Sequence, residues 1–403
     1  MPEDDHRATK RSSWSFIALL GCVSGLSAFG MASVVPALPS LATTLSVDFS
    51  AVQFVVSAYL LGLGLFQPIQ GLLCDRFGRR PVLLGGFLVF AIGSLAASLS
   101  SGLVTLVLAR FLQAMGVSVA TVVTRAIVRD THEPEQAAVA LSFISAFMGL
   151  APIIAPIAGG FVTALWSWRA VFVLHSVLAG ILLIWLVLSL RETRPASTRA
   201  MPFSSLLAGF RILMRDRVFV SFSMIYAFIS AGSFAFITVG AALFGRLFGM
   251  TAASFGTLWA GLALAYLCGA ALAGALASRF GSQRMIRAGL ALNLMAATAF
   301  VLAAFWPTPR LDLFMTALIG QMGANGLISP LALSGSVSER PDLAGVASGL
   351  SSAVAMLVSM LSAALTGVIY DATAVPVAIL IASCAMLAAF VSRRAVRSSL
   401  TAS

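Results

Sequence analysis

Between residues 15 and 392 the sequence falls into twelve apolar stretches: 15–38, 51–73, 81–99, 103–126, 137–163, 170–190, 218–244, 253–277, 286–306, 311–335, 344–369 and 375–392. About 20 apolar residues of helix cross a hydrocarbon layer, so each stretch is a candidate span. A lipid interior offers no water to backbone N–H and C=O groups, and the stretches lack the two-residue alternation of barrel strands, so helices are expected throughout. Composition agrees: 60 % of residues are apolar and 10 % charged, against roughly 25 % charged in soluble domains. The expected fold is an all-α membrane protein with 12 transmembrane helices.

Charge orients these helices. The chain carries 25 Lys and Arg against 14 Asp and Glu, a net +11. The cations are strung between apolar stretches and not gathered on one face, so membrane lipid is an expected partner and nucleic acid is not. With the N-terminus inside, 21 of the 25 cations fall in cytoplasmic segments; Arg169, Arg246 and Arg310 fall outside and Arg110 lies within the membrane. That asymmetry predicts that both termini are cytoplasmic. The expected organisation is a tail 1–14, a six-helix bundle 15–190, a linker 191–217, a six-helix bundle 218–392 and a tail 393–403. In the linker Phe203, Leu206, Leu207, Phe210, Leu213 and Met214 fall near helical spacing beside Arg211, Arg215 and Arg217, which predicts an interfacial helix. Cys22, Cys74, Cys268 and Cys384 lie far apart, in or beside apolar segments, without metal-ligand spacing, and read as buried thiols. No metal or cofactor is expected. The first apolar stretch is too long for a signal-peptide core and is expected to remain as a span.

The halves repeat. GLLCDRFGRRPVLLGG at 71–86 returns, degenerate, as GALASRFGSQRMIRAG at 274–289, each a short basic turn between two apolar segments. Two parallel halves are the architecture of a transporter. Gly71 and Gly78 permit a tight return. Asp75 is placed to face the positive N-terminus of helix 11 near Pro341 to Ala344, and Arg79 to pair with Asp130 at the end of helix 4. With Arg76 and Arg80 these form an expected gate latch; Ser278 replaces the acid in the second copy. Helix 5 holds Gly149, Pro152, Pro156, Gly159 and Gly160 in GLAPIIAPIAGG, read as a kinked hinge and tight seal, with Gly261, Gly269 and Gly274 of helix 8 as the expected partners.

Six helices, a basic linker, six helices and the GxxxDRxGRR turn together resemble the major facilitator superfamily over essentially the whole chain. LARFLQAMGVSVATVVTRAIVRD at 108–130, the helix-5 GLAPIIAPIAGG, WSWRAVF at 166–172 and YAFISAGSFAF at 226–236 look most like the bicyclomycin/chloramphenicol-type drug:proton antiporters. The resemblance implies a non-enzymatic, monomeric transporter of a bacterial inner membrane, exporting small amphipathic compounds in exchange for protons. It also implies a carboxylate on helix 1, four residues before the proline of MASVVPALP, as the partner of Arg110; Ala32 stands there. All fourteen acids lie in loops, tails or helix ends. His175 is a candidate proton carrier, though a structural histidine is the stronger reading.

Arg110 is the one cation placed deep in the membrane, a position that requires a partner or water. Two readings stay open: it binds an anionic or acceptor-rich substrate with Gln113, or it holds helix carbonyls together. The cavity expected of this fold offers Gln53, Tyr59, Tyr226, Trp259, Gln321 and Asn325, scattered polar groups among aromatics that suit loose recognition of an amphipathic molecule. Alternatives to export are an importer or facilitator of a small, anionic metabolite, and a transport-dead sensor. An ATP-driven pump is disfavoured, since no GxxxxGK loop is present.

Overall fold

The computed structural model describes residues 3–194, 203–338 and 343–400. The helices are α1 (Glu3–Ala32), α2 (Leu38–Leu45), α3 (Phe49–Phe77), α4 (Arg79–Ser98), α5 (Leu103–Val117), α6 (Val119–Thr131), α7 (Pro134–Leu165) and α8 (Trp168–Ser189). After the linker come α9 (Phe203–Leu213), α10 (Arg217–Phe248), α11 (Ala252–Phe280), α12 (Ser282–Ala304), α13 (Leu311–Ser338), α14 (Ala344–Ile369) and α15 (Val375–Leu400). No strand occurs among the described residues, and twelve spans are long and apolar enough to cross a membrane. The protein is therefore an integral membrane protein. Twelve crossings put both termini on one side, called here the terminal face; the other is the distal face.

Two spans are broken. The first continues to Leu45, beyond the expected residue 38, through a 3-10 turn at Val35–Ala37. Pro36 and Pro39 each fall in the first turn of the helical piece that holds them, where the missing N–H costs nothing, so the helix bends and restarts. The fourth span bends between α5 and α6 at Ser118, whose hydroxyl bonds the Met115 carbonyl.

Packing repeats between the halves. In the first, the span of α1 packs on α7, α3 on α5, and α4 on α5 and α8; in the second, α10 packs on α14, α11 on α13, and α12 on α13 and α15. The halves meet along α3 with α14 and α7 with α11, again equivalent pairs. Both copies of the repeated turn hinge on a glycine at positive φ, Gly78 at 99° and Gly281 at 83°, a region that side chains with a Cβ avoid. In the linker, α9 docks Gly209, Phe210 and Leu213 against α14.

Candidate functional site

The seam between α7 and α11 is closed toward the distal face. A Cβ on Gly160 would lie 2.5 Å from the Ala252 carbonyl oxygen, and one on Gly256 would lie 2.8 Å from the Pro156 carbonyl carbon. Backbone touches backbone here, which glycine alone allows. Further along the seam, Gly149 abuts Leu267; Gly159 instead packs on the Ser33 carbonyl, at the break in the first span. The helix-5 motif therefore faces two partners. Its expected glycine partners are replaced: Gly261 and Gly274 have open space, Gly269 packs on Gly323 of α13, and Ala252, Gly256 and Leu267 form the seam. Across the second seam Gly367 of α14 meets Gln53, and the Phe49 and Tyr370 rings lie 5.7 Å apart.

Arg110 sits in a buried knot. Its Nη1 donates to the Gly30 carbonyl at 3.0 Å and to Gln113 Oε1 at 2.9 Å, and its Nε to the Val55 carbonyl at 3.3 Å. The guanidinium lies 4.0 Å from the Tyr59 ring centroid, a cation–π distance. Gln113 passes the chain on to Ser94, and the Tyr59 hydroxyl donates to the Ser27 carbonyl. Arg110, Gln113 and Tyr59 are fully buried. His175 closes the neighbouring space among Phe29, Phe90 and Phe172, with Nε2 2.7 Å from Ser33 Oγ. The helix-1 carbonyl of Gly30, near the break, thus receives its donor from Arg110 of α5, where the resemblance implied a carboxylate.

Other predicted site residues divide by depth. Gln53 is buried at the α3–α14 seam, Trp259 stacks on Phe236 in the aromatic core of the second half, and Gln321 and Asn325 are buried on α13, Asn325 donating to Ser233. Tyr226 is half-buried on α10 of the second half, within electrostatic range of Arg125 on α6 of the first. The charge count places Arg125 among the cytoplasmic cations. It lies within the fourth span and is nonetheless exposed, while α6 takes its main packing from its own half, on α1, α3, α4, α5 and α7.

On the terminal face Arg79 pairs with Asp75 and Asp130, each at 2.9 Å. Both acids belong to the same half as Arg79; of the expected helix-11 contact for Asp75, residues 341 and 342 lie outside the described residues. Gly71 has open space, Arg76 rests against the Phe77 ring, and Arg80 Nη2 donates to the Val187 carbonyl. Sequence reasoning missed Glu192 and Arg194. Glu192 accepts from the backbone N–H groups of Arg79 and Arg80 at the start of α4 and of its own neighbours Thr193 and Arg194; Arg194 Nη1 donates to the Asp75 and Arg76 carbonyls at the end of α3. Each charge meets the helix end whose dipole suits it. Partial burial opposes the charge on Glu192, but the four N–H donors outweigh it and hold the carboxyl below its usual range. The available signal was charge order, an acid and then a base in RETR just after helix 6.

Residues 20–363 match the Major Facilitator Superfamily. The chain belongs to that superfamily. The match runs from the first span through the linker into α14, and so takes in most of both halves. The Multidrug resistance protein D of Escherichia coli is 31 % identical over 316 residues, covering 78 % of this chain and 79 % of that protein. A Bicyclomycin resistance protein homolog of Haemophilus influenzae is 26 % identical, covering 94 % and 95 %. Among solved structures, an inward-facing bacterial homolog of the lysosomal transporter Spinster superposes with a TM-score of 0.76 at 17 % identity, over 96 % of this chain and 98 % of that one. A D-xylose-proton symporter superposes with 0.72 at 17 %, over 93 % and 97 %. The superfamily's members are transporters, and this chain is a transporter related to multidrug and antibiotic resistance proteins. No group of three or more His, Cys, Asp or Glu placed to hold a metal occurs among the described residues.

Proposed function

We propose that this transporter exports small amphipathic organic compounds across a bacterial inner membrane by alternating access, with the terminal face cytoplasmic. The observation that carries the reading is the distal seam: backbone contacts at Gly160 and Gly256 hold α7 against α11 there, while Arg125, a cation within the fourth span near the other end, is exposed. One rocking motion that parts α7 from α11 distally and closes the terminal side would move a bound molecule outward. Likeness to resistance proteins supports export. Gly149, Pro152, Pro156, Gly159 and Gly160 act as the moving seal. Gly71, Asp75, Arg76, Gly78, Arg79, Arg80 and Asp130 stabilise the terminal gate from the first half. Arg110 and Gln113 hold that half together; Tyr226 borders the substrate path, with Gln53, Tyr59, Trp259, Gln321 and Asn325 behind its walls.

Export is coupled to protons in this reading, and the protein works as a monomer. Ala32 in place of an acid favours a second reading, a facilitator that runs down the substrate gradient in either direction. Purified protein in liposomes, loaded with a fluorescent amphipathic dye, separates the two. Antiport predicts dye accumulation against its gradient when a pH gradient is imposed and none once an ionophore collapses it. Movement only down the dye gradient, indifferent to the ionophore, refutes antiport and leaves the facilitator.

A further inference from the structure

The break in the first span divides that helix between the two halves. Val34, Ala37, Leu38 and Leu41 turn back onto the core of the first half, while Val35 is buried in the aromatic core of the second, with Phe236, Phe244 and Phe255. Beyond the break, Pro36, Pro39 and Ser40 face Ala241, Gly245 and Phe255 across a cavity of about 360 Å³. The halves therefore cannot part distally unless Val35 leaves that core or the helix bends further at the break.

Ser33, just past the end of α1, is held on three sides. Its carbonyl packs on Gly159 of α7, one residue from Gly160 and the contact with Ala252 across the seam. Its N–H and its hydroxyl both donate to the Phe29 carbonyl, the hydroxyl at 2.8 Å, and the same Oγ lies 2.7 Å from His175 Nε2 of α8. A hydroxyl carries one proton, so the imidazole is the donor in the last of these contacts. His175 Nδ1 is buried with no hydrogen-bond partner among the described residues, and a buried N–H is left unpaired more rarely than a lone pair. Both observations put the ring proton on Nε2. The other broken span repeats the device: Ser118 donates back to the Met115 carbonyl and accepts from Gln70 Nε2 of α3 at 2.9 Å.

We propose that His175 is a positioning residue for the distal gate: its Nε2–H pins Ser33, and so fixes the break at which the first span bends to seat Val35 in the second half and to brace Gly159 behind the seam. This rests on the alternating-access reading above and adds the residue that holds its distal joint. The bond belongs to the distally closed arrangement; when that side opens, Val35 leaves the second half and the break relaxes.

The test uses the full-length protein in phosphatidylcholine nanodiscs without substrate, with spin labels at Trp166→Cys and Thr251→Cys and the four native cysteines replaced. His175→Phe keeps a ring among Phe29, Phe90 and Phe172 and removes the donor. The ratio of long to short distal distances is expected to rise about two- to twelve-fold, the range one side-chain hydrogen bond supplies. His175→Gln, whose amide N–H reaches the place of Nε2, is expected to return the ratio toward the parent value. Leu186→Ala, at a buried position on the same helix, is expected to lower the melting temperature and leave the ratio unchanged. A parent-like ratio in His175→Phe while Gly160→Ala raises it, or an equal rise in Leu186→Ala, overturns the pin and leaves the distal gate standing. No change in either His175→Phe or Gly160→Ala overturns the gate reading and the pin with it. Nitrogen NMR of the imidazole in unsubstituted protein tests the bond without a variant: His175 is expected to carry its proton on Nε2, and a ring protonated on Nδ1 overturns the proposal.

Discussion

Gly160→Ala perturbs the distal seal at one atom. The added Cβ would stand 2.5 Å from the Ala252 carbonyl oxygen and 3.0 Å from the Ala253 Cα, against 3.4 Å where ordinary contact begins. The shortfall of 0.9 Å at the oxygen falls on backbone, which cannot rotate away, so α7 and α11 must part. Overpacking of this kind costs about 1–3 kcal/mol, and only while the seam is closed. The open arrangement is relieved of it, so the balance shifts toward distal opening by about five- to 150-fold. The assay is a distance distribution between spin labels at Trp166→Cys and Thr251→Cys, in protein whose four native cysteines are replaced. Gly160→Ala is expected to populate a longer distance without substrate. Gly261→Ala on α11, where nothing lies within 4 Å, is the control and should match wild type. If the two variants give the same distribution as the parent, and export at the parent's rate, the seam is not the distal gate.

Arg110→Ala strands the Gly30 and Val55 carbonyls and the Gln113 side chain; at about 1–3 kcal/mol for each buried group left unsatisfied, thermal unfolding in detergent should fall by several degrees, and unchanged melting would refute the structural role. Gly78→Ala meets both a φ of 99° and Glu192 Oε2 at 2.5 Å, whereas Gly281→Ala meets only a φ of 83° with open space, so the first should destabilise more than the second, whose cost is about 1–2 kcal/mol; equal melting shifts would deny that Glu192 braces the first turn. Glu192 has its folded pKa held below the usual value, so its contribution is fully present above the ordinary carboxylate range and is lost as pH falls through the lowered folded value. The group is largely exposed, so the effect is a few tenths of a kcal/mol: wild type should lose slightly more stability than Glu192→Gln on acidification, and parallel pH curves would contradict this.

How legible this was in the sequence depended on whether a property is local. Spans follow from hydropathy alone, and the turn glycines Gly78 and Gly281 from the repeat, because each needs only neighbours in sequence. The Arg79 and Asp130 pair was also readable, since both ends of their helices are marked by charge. Partner identity across seams was not: Gly256 and Gly261 look alike in sequence, and only the register of α11 on α7 decides which one meets Pro156. Arg125 was hidden for the opposite reason. Near a helix end, an arginine scores as a loop charge, and whether it faces lipid, water or the other half is settled by rotation of α6, which hydropathy does not fix.

Alternating access itself is tested most directly by reading both faces in one preparation. One spin-label pair spans α7 and α11 at the distal end, Trp166→Cys with Thr251→Cys; a second spans α6 and α10 at the terminal end, Arg129→Cys with Val218→Cys. Across the transport cycle, with a transported compound and an imposed pH gradient, the distal distance is expected to lengthen in the same fraction of molecules in which the terminal distance shortens. Vigorous transport with both distances fixed, or with both lengthening together, would contradict the rocking of two halves about one central cavity.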